Sequence, residues 1–228
     1  MSVTISNLTK AAGAAAAVAG AIFIGVQINH PPMDVSSVDT TEWALRNTAK
    51  VVMAALALAG ITGMYLRQVR QMGILGLVGY LLFSAGYLVI LAIAFLSAYV
   101  LPSLADTAPR YVQDLLLVAE GGKAVGDIGL MKGAFAASGI GYMVGGLIFG
   151  IALFRAGVLA RWAAALLAVA TIGTAALAVL PDSFNRPMAI PEGIALIALG
   201  VSLWRTQTRP QADTTATTAA HVEPSPVR

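Results

Sequence analysis

The stretch from Gly73 to Tyr99 is apolar throughout and carries no charged side chain. About 20 consecutive apolar residues are enough to cross a bilayer as a helix, so this stretch predicts a transmembrane helix. The whole chain has the same character, because 58% of its residues are hydrophobic and only 11% are charged, whereas soluble domains carry about 25% charged residues. These features predict an all-α, polytopic membrane protein.

Five more segments are apolar enough to be predicted as spans, which gives a six-helix transmembrane bundle. They are Ala11–Ile28, Val51–Leu66, Ala134–Phe154, Trp162–Leu180 and the apolar part of Pro181–Leu203. A cleavable signal peptide is the alternative for the first segment, but no clear cleavage site follows it. We expect a transmembrane domain over residues 1–205 and a disordered cytoplasmic tail over residues 206–228, where bulky apolar residues are lacking.

The connections between the spans also carry local signals. Asp39 or Thr40 is expected to cap the helix that leads into the second span. In the long connection Pro102–Lys132, the segment Tyr111–Glu120 predicts a short helix with an apolar side, which Gly121-Gly122 ends.

The basic residues predict the orientation of the bundle in a cell inner or plasma membrane. With the amino and carboxyl termini both inside, one set of basic residues lies on the cytoplasmic side, as the positive-inside rule requires: Lys10, Arg67, Arg70, Arg155, Arg161, Arg205 and Arg209. All acids before the tail then fall on the outer half. Two interpretations stay open, namely an acidic outer mouth or polar loops that carry charge without further meaning.

A weak internal repeat links two tight basic turns. Gly63–Gly73 and Gly150–Arg161 each contain the end of a helix, a basic turn and the approach to another apolar run. The similarity indicates either a duplicated hairpin or the common form of short cytoplasmic turns.

Small and aromatic residues recur at helical spacing in several spans. Gly141, Gly145, Gly146 and Gly150 form overlapping G-x-x-x-G pairs, which let another helix backbone approach closely; the partner helix is either in the same chain or in a homodimer. Aromatic residues form one stripe on each of two spans: Tyr80, Phe83 and Tyr87 on the third, and Phe135, Tyr142 and Phe149 on the fourth. Such stripes either pack the core or line an apolar cavity for a lipophilic ligand.

Glu192 is the acid that depth counting places within the membrane. It lies about 18 Å from Trp204, the inner interfacial residue, at about 1.5 Å per residue. The same count puts Glu42 at or above the outer surface and Asp127 roughly 12 Å beyond it, on a protruding helical extension. The alternative for Glu192 is structural, because Pro191-Glu192 suits the first turn of a helix.

Several kinds of site find no support in the sequence. The chain has no phosphate-binding loop motif and no dinucleotide-binding glycine motif. Only two histidines and no cysteine are present, which disfavours a haem or a metal centre, and the basic residues form no continuous patch for nucleic acid. We therefore expect no cofactor, no metal and no nucleic-acid partner; the expected partners are the lipid bilayer and a lipophilic small molecule.

Four features together resemble a family: the loop His30-Pro31-Pro32, the segment Trp43–Asn47, the segment Gly63–Gln68 and the charge-free span. The chain is similar to small, mostly uncharacterised multi-pass membrane proteins of high-GC Gram-positive bacteria. It also resembles the integral-membrane terpene cyclases of bacterial indole-terpenoid pathways in size, helix count and membrane acids. No motif is matched to those enzymes, so the resemblance transfers no catalytic residue.

Three functions follow as hypotheses. The first is a membrane enzyme that cyclises an isoprenoid-type substrate after protonation by Glu192, with Asp127 or Glu42 as a second acid. In that hypothesis the substrate-binding residues are Trp43, Asn47, Tyr87 and Tyr142, whose aromatic faces stabilise carbocations. The second is a small-molecule or proton-coupled transporter or efflux component with Glu192 as its proton or cation site. The third is a non-catalytic membrane partner protein.

Overall fold

The computed structural model describes residues 4–178, 180 and 186–206. Within these residues the regular structure is entirely helical. The helices are α1 (Ile5–Gly25), α2 (Val35–Val38), α3 (Thr41–Arg67), α4 (Val69–Tyr99), α5 (Leu101–Ala105), α6 (Pro109–Ala119), α7 (Met131–Ala156), α8 (Arg161–Gly173) and α9 (Ala189–Thr206), with a 3₁₀ helix at Thr174–Ala178 between α8 and α9. Pro181–Asn185, which begins the predicted sixth segment, and the predicted tail from residue 207 onward lie outside the described residues.

Five helices are long and apolar enough to cross a membrane: α1, α3, α4, α7 and α9. The prediction of a fifth span at Trp162–Leu180 is wrong in its extent, because α8 ends at Gly173 and the chain continues as a 3₁₀ helix. Gly173 and Thr174 both have low helix propensity, which accounts for the early end. Elsewhere, α1 begins before the predicted Ala11, and Thr206, assigned to the tail, ends α9.

The six larger helices form a closed ring in the order α1, α3, α4, α7, α8, α9, with α9 packed against α1. Each is antiparallel to its neighbours: for example, Gly60 of α3 lies against Ala16 of α1, whereas Gly63 lies against Ala12. In this ring α4 and α9 occupy opposite positions. A side chain from either helix that points inward therefore reaches the centre of the bundle.

Glycines bring two pairs of helices into backbone contact. On α4, Gly79 and Gly86 lie against the backbone of α7. On α9, Gly193 and Gly200 lie against the backbone of α1 in the same way, at the same spacing along the helix. These α4–α7 and α1–α9 contacts are the most extensive in the bundle, and each joins one half of the chain (α1, α3, α4) to the other (α7, α8, α9).

The predicted close-packing glycines of α7 serve two neighbours in the same chain. Gly141 and Gly145 face α4, whereas Gly146 and Gly150 face Thr171 and Ala168 of α8. Because glycine has no Cβ, the helix backbones approach without obstruction. The structure thus accounts for this glycine pattern without a second copy of the chain.

Short turns close one end of the bundle, which we call the turn end. Gln68 alone separates α3 from α4, and α4 has a kink at Gly73, whose backbone (φ 56°, ψ −153°) is strained for any residue with a side chain. Gly157 ends α7 in the left-handed conformation (φ 66°). The two tight basic turns predicted from the sequence are therefore present, and both lie at this end.

A small helical cap, made of α2, α5, α6 and residues 120–130, covers the opposite end, which we call the capped end. Its apolar core is separate from that of the bundle and consists of Val38, Trp43, Leu101, Val112, Leu115, Leu116 and Ile128. Asp114 of α6 is buried and accepts the backbone N–H groups of Val125 (2.8 Å) and Gly126 (2.9 Å). The predicted short helix at Tyr111–Glu120 is confirmed as α6, and Thr40 caps α3 by accepting the N–H of Trp43 (3.2 Å).

We predict that Gly145→Ala destabilises the bundle by about 1–3 kcal/mol, the usual cost of overpacking a filled core. A Cβ at this position would meet the Phe83 backbone, with its Cα at 2.6 Å. Gly139→Ala on the same helix is the matched control, because no atom lies within 4 Å of its added Cβ. Unfolding of both variants in mixed detergent micelles measures the difference, and equal stability of the two would contradict the packing argument.

Candidate functional site

Glu192 lies in the first turn of α9 and is completely buried (0% exposed). The helix begins at Ala189, two residues before the predicted Pro191. One carboxylate oxygen, Oε1, accepts a hydrogen bond from the hydroxyl of Tyr87 (2.8 Å). The other, Oε2, is buried without a hydrogen-bond partner among the described residues. The structural alternative, in which Glu192 serves only to interact with the dipole of α9, does not require a hydrogen-bond partner on another helix.

The partner of Glu192 is near the middle of the longest helix. Tyr87 is 0% exposed and lies about 18 Å from Tyr99 and about 21 Å from the kink at Gly73, at about 1.5 Å per residue. Because α4 and α9 are opposite each other in the ring, the bond crosses the bundle interior. The depth predicted for Glu192 from its own helix therefore agrees with the position of its partner on α4.

Aromatic rings surround the Tyr87 end of this bond. Phe83 contacts Tyr87 edge-on (5.1 Å between ring centroids), and Tyr142 of α7 lies 6.1 Å from both rings. Phe149 completes the cluster, 6.0 Å from Phe83. The two predicted stripes thus meet at these four residues, whereas Tyr80 stacks on Tyr65 of α3 and Phe135 packs against the cap core.

The other two candidate acids are not brought to Glu192. Glu42 lies at the capped end, 54% exposed, and forms an ion pair with Arg46 (2.8 Å). Asp127 is exposed and accepts the backbone N–H of Gly129 (2.8 Å). The predicted helical extension that would carry Asp127 is absent, because α7 begins only at Met131 and the carboxylate instead stabilises the loop before it.

The candidate binding residues fall into two separate groups. Tyr87 and Tyr142 lie beside Glu192, as described above. Trp43 and Asn47 lie at the capped end, where the Trp43 Nε1–H donates to the Ser97 carbonyl (2.8 Å) and the Asn47 side-chain amide donates to the Trp43 carbonyl (3.0 Å). The four residues therefore do not line a common cavity.

Asn47 belongs to a polar cluster that the sequence did not predict. Lys50, partly buried on α3, donates to His30 Nε2 (3.0 Å) and to Asn47 Oδ1 (3.3 Å). His30 Nδ1 lies 2.8 Å from the Pro31 carbonyl, so that nitrogen carries the ring proton. Lys50 directly precedes the predicted span at Val51 and so resembles an ordinary boundary charge, whereas its contacts depend on His30 from a separate segment.

The pKa of His30 is lowered to about 4, chiefly by burial. The positive charge of Lys50 is the next largest cause, and the charges of Arg186 and Arg46 contribute less. The imidazole is consequently neutral near pH 7, which suits Nε2 as an acceptor. Burial also lowers the pKa of Arg186, with Glu120 acting in the opposite direction. Lys50 contacts His30 directly, and the charges of Arg46 on α3 and of Arg186 before α9 act on the same ring.

An acidic mouth at the capped end finds no support in these contacts. Glu42 and Glu120 pair with Arg46 and Arg186, and Asp34, Asp114 and Asp127 accept hydrogen bonds from nearby donors. Asp34 caps α2 and accepts the hydroxyl of Ser36 (2.6 Å), which lowers its pKa. Most of the described acids of this end are thus engaged in local structure, whereas Asp39 and Asp106 are exposed.

Two open grooves lie near the turn end, away from Glu192. One, of about 490 Å³, runs between α1 and α9 and is lined by Gly13, Ala17, Gly200 and Trp204 among others. The second, of about 530 Å³, lies beside α8 and α9 and includes Leu159, Trp162 and Ser202. Neither groove is lined by Glu192 or Tyr87, so neither offers a ligand direct access to the buried carboxyl group.

We predict that acid destabilises the protein partly through His30. Its folded-state pKa of about 4 lies below the ordinary 6.5, so between these values the unfolded chain binds more protons and stability falls as the pH falls. His30→Gln should therefore lose less stability than the wild type between pH 7 and pH 5. Unfolding midpoints at the two values measure this, with His221→Gln as the control, which should behave like the wild type.

Within the described residues, no group of three or more potential ligands among His, Asp and Glu is placed to hold a metal ion. Of the two buried acids among the described residues, Asp114 belongs to the cap and Glu192 lies within the bundle. Comparison of the chain with known protein families, curated proteins and solved structures found no match in any of the three.

Proposed function

We propose that the protein is a proton-coupled transporter of a small molecule, with Glu192 as the group that takes up and releases the proton. The observation that carries the proposal is the buried hydrogen bond between Glu192 and Tyr87. Ionisable groups inside membrane bundles are costly and mark proton or substrate pathways by default. Both termini would be cytoplasmic, with six spans and the turn end inside.

The surroundings of Glu192 favour an exchangeable proton over a fixed ion pair. No ion pair between described residues includes this carboxyl group, and none of those residues forms a hydrogen bond with its Oε2. A carboxyl group has one O–H donor when protonated and none when ionised. Uptake of a proton at Oε2 therefore removes a buried negative charge and creates a donor, while the Tyr87 bond to Oε1 is kept.

The arrangement of the two halves supports transport by alternating access. The halves α1–α3–α4 and α7–α8–α9 run in opposite directions across the bundle, and equivalent glycine contacts join them at α4–α7 and at α1–α9. Inverted halves of this kind are common in secondary transporters, which bind substrate and coupling ion near the midplane between them. The Glu192–Tyr87 bond joins the equivalent helices α4 and α9 at that depth.

This repeat differs from the one suggested by the sequence. The similarity of the turns pairs the α3–α4 hairpin with the α7–α8 hairpin, whereas the glycine contacts pair α4 with α9 and α1 with α7. Only the pairing of α4 with α9 and of α1 with α7 makes the α4–α7 contact equivalent to the α1–α9 contact. We therefore base the proposal on the contacts.

The test uses proteoliposomes with an imposed pH gradient and an extract of small metabolites. We expect the wild type to accumulate at least one solute in a gradient-dependent manner, as measured by mass spectrometry. Glu192→Gln should reduce accumulation to the level of empty liposomes, because the amide cannot exchange a proton. Tyr87→Phe removes one hydrogen bond, worth about 0.5–1.5 kcal/mol, and should reduce the rate without abolishing it.

Asp106→Asn is the matched control, since it removes an exposed carboxylate at the capped end. It should accumulate the solute as the wild type does. Gradient-driven accumulation that is unchanged in Glu192→Gln would refute the role of Glu192. If the wild type accumulates nothing, transport itself is refuted.

The aromatic cluster favours a second candidate, acid-initiated cyclisation of an isoprenoid-type substrate. Protonated Glu192 would give its proton to an alkene carbon or an epoxide oxygen, and the rings of Phe83, Tyr87 and Tyr142 would stabilise the carbocation. Loss of a proton from the cyclised cation would then restore the acid. This function requires the substrate to enter between the helices, because the two grooves described above do not reach Glu192.

Incubation with a panel of prenylated alkenes and epoxides tests this candidate. The expected result is a cyclic isomer of equal mass, formed by the wild type and by Asp106→Asn and absent with Glu192→Gln. An isomer formed equally by Glu192→Gln, or no isomer with any of the three proteins, would remove the cyclase hypothesis.

A further inference from the structure

A cluster of positive charge lies at the capped end, apart from Glu192. Lys50 contacts His30, and Arg46 and Arg186 both bind to the nearby segment Val26–Ile28. Arg46 is held by Glu42 and by the carbonyl groups of Val26 (3.1 Å) and Ile28 (2.7 Å). Lys50 differs, because no carboxylate of a described residue lies within 4 Å of it.

The hydrogen bonds of Lys50 leave one donor unused. An ammonium group has three N–H donors, and two of them are directed to His30 Nε2 and Asn47 Oδ1, which are both uncharged acceptors. A partly buried charge without an opposite charge is costly. The third donor and the uncompensated charge together suit a negatively charged ligand.

Arg186 adds a second set of donors from another element. Its NH1 group donates to Gln27 (3.2 Å), and its NH2 group is 3.7 Å from a Glu120 oxygen, beyond hydrogen-bond distance. The guanidinium group is therefore held in place while retaining unused N–H donors. Gln27 lies between Val26 and Ile28, whose carbonyl groups bind Arg46, one helical turn from Lys50 on α3. A planar guanidinium near an ammonium group matches the oxygens of a carboxylate or phosphate group.

We propose that Lys50, together with His30, Asn47 and Arg186, forms a binding site for one oxyanion, a carboxylate or phosphate group, at the capped end of the bundle. The site does not depend on proton transfer at Glu192. The oxyanion comes either from a free solute or from the headgroup of an anionic phospholipid. Both sources present the same chemistry to Lys50, and the experiment below separates them.

His30 is a built-in reporter for this site. The chain has two histidines, so His221→Gln leaves His30 as the single histidine signal in an NMR spectrum of isotope-labelled protein. Its ring is in direct contact with Lys50 and carries a proton at Nδ1. An oxyanion bound to Lys50 should therefore change the His30 ring signals in a saturable manner at constant pH.

The titration uses acetate and inorganic phosphate in detergent, with chloride holding the ionic strength constant so that general screening does not change. A second arm compares nanodiscs of phosphatidylglycerol with nanodiscs of phosphatidylcholine. Saturation by acetate or phosphate supports the site with a free solute as its ligand. A change seen only with phosphatidylglycerol supports the same site with a lipid headgroup as its ligand.

Lys50→Gln should weaken binding about tenfold or more, because it removes the charge at the centre of the site. Lys50→Arg keeps the charge and should retain binding. Lys123→Gln is the matched control, since it removes an exposed lysine from the same end, and it should bind within about twofold of the wild type.

Two results would overturn the proposal. One is the absence of any saturable change in the wild-type signals, both with free oxyanions and with phosphatidylglycerol. The other is equal weakening by Lys50→Gln and Lys123→Gln, which would indicate general attraction to a positive surface. The wild-type titration alone decides the first result, even if Lys50→Gln does not fold.

Discussion

Close backbone contact at α4–α7 and α1–α9 is the constraint on which the rest of the structure depends. Gly79 and Gly86 on α4, and Gly193 and Gly200 on α9, allow these approaches. Apolar helices in lipid gain little from burying apolar side chains against one another, so close packing is a main source of their association. The two contacts close the ring, and only in a closed ring can Glu192 and Tyr87 meet across its centre.

Much of the fold could be predicted from the sequence, because long apolar segments leave few alternatives in lipid. The charge-free segment became α4, and the glycine pattern of α7 identified its packing role. Glu192 could be singled out because counting residues back from Trp204 placed it at depth. Its partner, Tyr87, could not be predicted, since 105 positions separate the two residues along the chain. No periodicity within one helix specifies a contact with another helix.

The errors have equally local causes. A drop in helix propensity at Gly173 and Thr174 ended α8 early, although hydropathy alone favours a longer span. Lys50 could not be recognised as part of a cluster, because it directly precedes an apolar run and resembles a boundary charge. Its contact joins it to His30, 20 positions away on a separate segment, and no periodicity within α3 specifies that contact.

The turn end has a mechanical consequence. A single residue, Gln68, joins α3 to α4, and Gly157–Ala160 joins α7 to α8, whereas much longer segments connect the helices at the capped end. Each short turn fixes the separation of its two helices at the turn end. Within the α3–α4 and α7–α8 hairpins, the two helices are therefore least constrained by the chain itself at the capped end.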